Sequence, residues 1–118
     1  MIDIEPINQT KLFGLDKYIN ELIKLDKKNI LPNKILLSGK KGLGKSTLAY
    51  HFINYILSKE DVHKYNTDTF TINPENPSFK TILNKSNLNF ILIDVNSEKK
   101  MIDINQIRQL ILNLNKLS

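Results

Sequence analysis

At 118 residues, 41% of them hydrophobic, the chain has the size of one small domain and enough apolar material for a modest core. It contains no cysteine, which excludes disulfides and thiolate metal sites, and neither a long apolar stretch nor a charged-then-apolar leader marks it for a membrane or for export. The net charge of +5 invites a nucleic-acid partner, but all 17 basic residues except Arg108 are lysine, and such charge gives non-specific affinity without base readout. The composition therefore predicts a soluble cytoplasmic protein whose lysines mainly solvate its surface, with no direct DNA contact by this segment.

Residues 1–11 read as an extended lead-in. Leu12, Phe13 and Gly14 then open a helical pattern with Leu15, Ile19, Leu22 and Ile23 on one face. Pro32, within Asn29 to Asn33, punctuates the chain before Lys34 to Ser38, an apolar run of buried-strand type. Ser46 to Lys59 reads as a helix with Leu48, Ala49, Phe52, Ile53, Ile56 and Leu57 on one face, and His51 is expected off that face, partly exposed. From 60 to 88 the periodicity fades into an irregular connection with turn chemistry at Asn73 to Pro77 and one short helical mark at Phe79, Ile82 and Leu83.

Phe90 to Asp94 is the second strong strand candidate, followed by a polar turn over Asn96 to Lys100. The last helix starts on a capping signal, Asp103 with Gln106 three residues on, and carries Ile104, Ile107, Leu110, Ile111 and Leu114 on one face. It has no stop signal, and the few strands are too few for a parallel sheet covered on both faces. With Gly39 to Ser46, a G-x-x-x-x-G-K-[ST] segment, between the first strand and the helix after it, the expectation is an α/β, P-loop NTPase-type, three-layer parallel-sheet domain of which residues 1–118 form the N-terminal part.

The most specific feature is Gly39-Lys40-Lys41-Gly42-Leu43-Gly44-Lys45-Ser46, the G-x-x-x-x-G-K-[ST] or Walker A phosphate-loop pattern, set between a strand and a helix as that pattern requires. Its four fixed positions coincide by chance on the order of once in 10⁴ to 10⁵ positions. A polyphosphate needs converging backbone N–H groups, and glycines let the main chain wrap closely enough to supply them. Lys45 offers a point charge for the β- and γ-phosphates. The Ser46 hydroxyl suits a Mg²⁺ bound with the nucleotide, and the following helix adds its N-terminal dipole. ATP with Mg²⁺ is the expected ligand.

Leu12-Phe13-Gly14, Leu31 to Gly39, Gly42 to Ala49 and Ile102 to Arg108 together resemble bacterial clamp-loader ATPases of the AAA+ class, most of all the delta prime subunits of DNA polymerase III. The resemblance implies that Gly39 to Thr47 holds the ATP phosphates, that backbone at Leu12, Phe13 and Gly14 borders the adenine, and that the Arg108 helix is structural. It also implies sibling clamp-loader subunits as partners and, through them, the sliding clamp and primer-template DNA. Some relatives carry a four-cysteine zinc module; this chain has no cysteine to build one, so zinc is not expected. The family's acidic Mg²⁺-ordering strand, sensor, arginine finger, lid and collar are expected beyond Ser118.

Asp94 is read as a strand-terminal aspartate, not a magnesium partner, because Val95 and not a second carboxylate follows it. No paired carboxylates or nucleophile–base arrangement is evident, so the catalytic residues are unknown. Nucleotide binding has support in the residues and hydrolysis does not. Two alternatives share the loop: another AAA+ machine, and a small phosphotransferase. The second fits less well, since a full helix precedes the loop and Arg108 is the only arginine available to clamp an acceptor.

Overall fold

The computed structural model describes residues 14–39, 44–75, 85–96 and 98–116. The first helix, α1, covers Asp16–Lys27, with Asp16 in its first turn and Lys24 and Lys27 in its last, each sign suited to the helix dipole. It stops because Asn29 takes a left-handed conformation at φ 60°. The Asn29 and Ile30 N–H groups then turn back onto the carbonyls of Asp26 (3.0 Å) and Leu25 (3.1 Å), a Schellman closure in which asparagine tolerates the positive φ. As expected, Ile19 and Ile23 are buried, and Leu15 and Leu22 pack against the core.

Strand β1 is Lys34–Ser38 and helix α2 is Lys45–Leu57. Around α2, burial runs unbroken from His51 through Leu57, wider than the single face the periodicity predicts. The cause is that α2 lies centrally, against α1, against the sheet and against the last helix. The stretch after it contains no helix up to residue 75. It is held by a reciprocal bridge between Asn66 and Thr71 (3.0 and 3.2 Å), by the Asn66 side chain accepting from the Asp68 and Thr69 N–H groups (2.9 and 3.1 Å), and by burial of Tyr65 and Ile72. The helical mark at Phe79, Ile82 and Leu83 lies outside the described residues.

The remaining elements are helix α3 (Lys85–Ile91), strand β2 (Leu92–Asn96), strand β3 (Lys99–Asp103) and helix α4 (Ile104–Lys116). Two sequence expectations change here. The apolar run at Phe90 is not all strand: Phe90 and Ile91 finish α3, with Ile91 buried and Phe90 exposed, and β2 starts at Leu92. A short apolar run does not distinguish helix from strand by pattern alone. The polar turn is also shorter than expected, since Lys99 and Lys100 open a third strand.

A third change concerns the sheet. Its order is β1-β3-β2, and both pairings are antiparallel, not parallel. The link between β2 and β3 is too short for the crossover that parallel neighbours need, so it closes a hairpin. β3 then lies between β1 and β2, which run in the same direction. Ile35 faces Ile102 and Leu92 faces Ile102 on the packed side of the sheet, while Leu36, Met101 and Ile93 line up on the other, where Leu36 is 54% exposed. The described chain is thus α/β with a small three-stranded antiparallel sheet. Its core gathers Ile19, Ile23, Phe52, Ile53, Ile102 and Ile107 between helices and sheet.

Helix α4 keeps its predicted start. The Gln106 N–H donates to Asp103 Oδ1 (3.2 Å), and the Ile104 N–H donates to the Asn33 carbonyl (2.8 Å), fastening the helix to the chain entering β1. Ile104 and Ile107 are buried and Leu110 and Ile111 half-buried as the face predicts; the Leu114 side chain lies outside the described ones.

Candidate phosphate-binding site

The glycine pattern occupies the junction between the end of β1 and the start of α2. Gly39 follows the last residue of β1 with φ 149°, and Gly44 stands at the N-cap of α2 with φ 77°, both in the region that favours glycine. Gly44 has a second reason to lack a side chain, because a Cβ there would sit 3.0 Å from Cδ1 of Leu15, the residue that precedes α1. Lys45, the first residue of α2, donates from Nζ to the Gly39 carbonyl and so ties the two ends of the loop together. Lys40, Lys41, Gly42 and Leu43 lie outside the described residues.

Ser46 and Thr47 fall in the first turn of α2, half-buried. That turn has neither an acidic residue nor a side-chain cap. A helix begun this way presents its first N–H groups and the positive end of its dipole without a side-chain cap or a first-turn carboxylate among the described residues, which suits a phosphate. On the other side of the loop the Gly39 N–H donates to the Glu98 carbonyl (3.1 Å), so the β2–β3 turn abuts the loop's first glycine. The sequence reading missed that contact, which spans 59 positions of chain and depends on the unpredicted strand β3.

Beside the loop, a cleft of about 630 Å³ opens between α1, the outer edge of β1 and the start of α2, with Leu15, Tyr18, Leu22, Leu36 and Leu48 among its walls and Lys45 at one end. Gly14 lines it too, the described member of the trio expected at the adenine; Leu12 and Phe13 lie outside the described residues.

With this geometry in place, comparison with protein families finds one whose model, described as DNA polymerase III, delta subunit, matches residues 14–118. The chain belongs to the DNA polymerase III delta subunit family. Comparison with curated proteins and with solved structures gives no match. Family membership sets the protein in DNA replication, as part of the clamp-loading apparatus of that polymerase.

Elsewhere in this delta-family chain the polar residues of interest do structural work. His51 is not partly exposed, as its position beside Tyr50 suggested, but fully buried, with Nδ1 2.8 Å from the Tyr65 hydroxyl and the two rings edge to face at 5.5 Å. Periodicity on α2 could not have found this, because Tyr65 comes from the irregular connection. Burial pushes the Tyr65 hydroxyl well above the ordinary tyrosine range. Tyr55 is raised to about 12, first by burial and then by the Asp26 carboxylate, to which its hydroxyl donates (3.1 Å). Lys59 also pairs with Asp26, so α1 and the end of α2 share one polar clasp.

Asp94 lies within β2 and pairs across the hairpin with Lys100, its side chain 73% exposed. Arg108 donates to Asn33 Oδ1 (3.0 Å), a structural clamp between α4 and the chain entering β1. Among the described residues no group of three or more His, Asp or Glu gathers as a metal site, and no helix is long and apolar enough to cross a membrane.

Proposed function

We propose that this chain is an ATP-binding subunit of the DNA polymerase III clamp loader, of the delta prime type, and that it helps sibling subunits place the sliding clamp on primed DNA in the cytoplasm. The observation that carries the nucleotide half of this reading is the β1–loop–α2 junction. There the Walker A pattern coincides with two glycines in the conformations it needs and with Lys45 at the first position of a helix without a protein cap. Gly39 to Thr47 would hold the phosphates and Ser46 the Mg²⁺. Gly14, at the cleft, would border the base. The AAA+ assignment rests on this junction and not on the sheet.

The partners are proteins before DNA, because the basic residues are dispersed lysines and two of them are already paired, Lys59 with Asp26 and Lys100 with Asp94. The test is calorimetric titration with MgATP. The native chain should bind, and Lys45→Ala should lose about ten- to a hundredfold in affinity, the worth of a charge-assisted contact. Co-purification with the other clamp-loader subunits tests the assembly half. A native chain that binds no MgATP, or that recovers no sibling subunit, would sink the corresponding half.

A further inference from the structure

The hairpin that the sequence did not announce brings a second lysine to the loop. β3 pairs with β1 so that Lys99 lies opposite Ser38, the last strand residue before Gly39, and the preceding residue Glu98 accepts the Gly39 N–H at 3.1 Å. Directly opposed residues of an antiparallel pair have Cα atoms only about 5 Å apart and share one face of the sheet. Lys99 and Lys100 are neighbours with opposite fates, because successive strand side chains point to opposite faces. Lys100 is half-buried and neutralised by Asp94, whereas Lys99 is exposed and has no ion pair or side-chain hydrogen bond among the described residues.

We propose that Lys99 is a second cationic contact for the polyphosphate of the bound nucleotide, reached from the β2–β3 turn and working beside Lys45. This rests on the nucleotide-binding reading above. A nucleoside triphosphate brings several negative charges, and Lys45 already spends part of its hydrogen-bonding capacity on the Gly39 carbonyl. A flexible four-carbon stem with an unpaired ammonium, anchored one register pair from the loop, fits the remaining charge. The Glu98–Gly39 hydrogen bond fixes the turn against the first glycine of the junction, which sets the base of the Lys99 side chain beside the strand end from which the loop departs.

Lys34 provides the matched control. It carries the same charge on the same sheet face at the opposite end of β1, where it faces Asp103, about 13 Å further along the strand. The experiment compares MgATP affinity for the native full chain, Lys99→Ala and Lys34→Ala, at low and at high salt. Lys99→Ala should weaken binding about three- to tenfold at low salt, Lys34→Ala less than about twofold, and the difference should shrink as salt screens the contact. Equal effects of the two substitutions, or none from Lys99→Ala, would overturn the role of Lys99 while leaving nucleotide binding intact. A native chain that binds no MgATP would instead remove the nucleotide reading and this inference with it.

Discussion

Helices α2 and α4 are each 13 residues long, yet they are built for different ends. Helix α4 is finished by its own sequence: Asp103 caps its first turn, one face is buried through Ile104 and Ile107, and the other keeps Asn105, Gln106, Arg108 and Gln109 in solvent. Helix α2 is buried through most of its length and begins on a glycine with no side-chain cap. A helix whose first N–H groups are met by an aspartate is closed to an anion; one begun on glycine remains open to it. The difference separates a helix whose start is closed by the chain's own aspartate from one whose start has no side-chain cap.

Core truncation should split the pair most widely. Phe52, fully buried on α2 and stacked near Tyr55, should cost about 3–5 kcal/mol when changed to alanine, whereas Leu112→Ala on the exposed side of α4 should cost under about 0.5 kcal/mol. Urea denaturation reads both, and comparable losses would mean that α2 is not the central helix.

The two N-termini give a smaller and more selective contrast. Gly44→Ala combines a positive φ with the 3.0 Å approach to Leu15 and should cost about 1–2 kcal/mol together with MgATP affinity. Asp103→Ala should cost about 1 kcal/mol through its cap and leave MgATP affinity unchanged. If the Asp103 variant lost nucleotide affinity as well, the division of labour between the helices would fail.

The smallest effect is one of alkaline pH. The Tyr55 pKa stands raised from 10.0 to about 12, so the hydroxyl stabilises the fold in its protonated form. That contribution is complete below pH 10 and is lost as pH rises toward 12. Thermal melts should therefore show a steeper decline across this window in the native chain than in Tyr55→Phe. Equal slopes would place the alkaline sensitivity elsewhere.

Much of this arrangement was legible in the residues. The phosphate-loop pattern marked both of its flanking elements. Asp103 with Gln106 marked the start of α4, and Ile19 and Ile23 marked the inner face of α1. Where the reading failed, local signals were balanced. The run from Phe90 to Ile93 is apolar enough for strand or helix, and only the packing of Leu88 and Ile91 against the core assigns its first half to α3. Lys99 and Lys100 argued for a turn, but pairing with β1 on one side and β2 on the other outweighs their low strand preference.

The sequence by itself determined where a glycine-rich junction joins β1 to α2, because glycine conformations, a loop lysine and a helix start are properties of consecutive residues. It also determined the local starts of α1, β1 and α4 for the same reason. Only the tertiary structure decided the antiparallel order of the sheet, the burial of His51 against Tyr65, and the arrival of Lys99 beside Ser38. Each of these joins residues far apart in the chain, and such contacts form only when the apolar faces of several elements bury one another together.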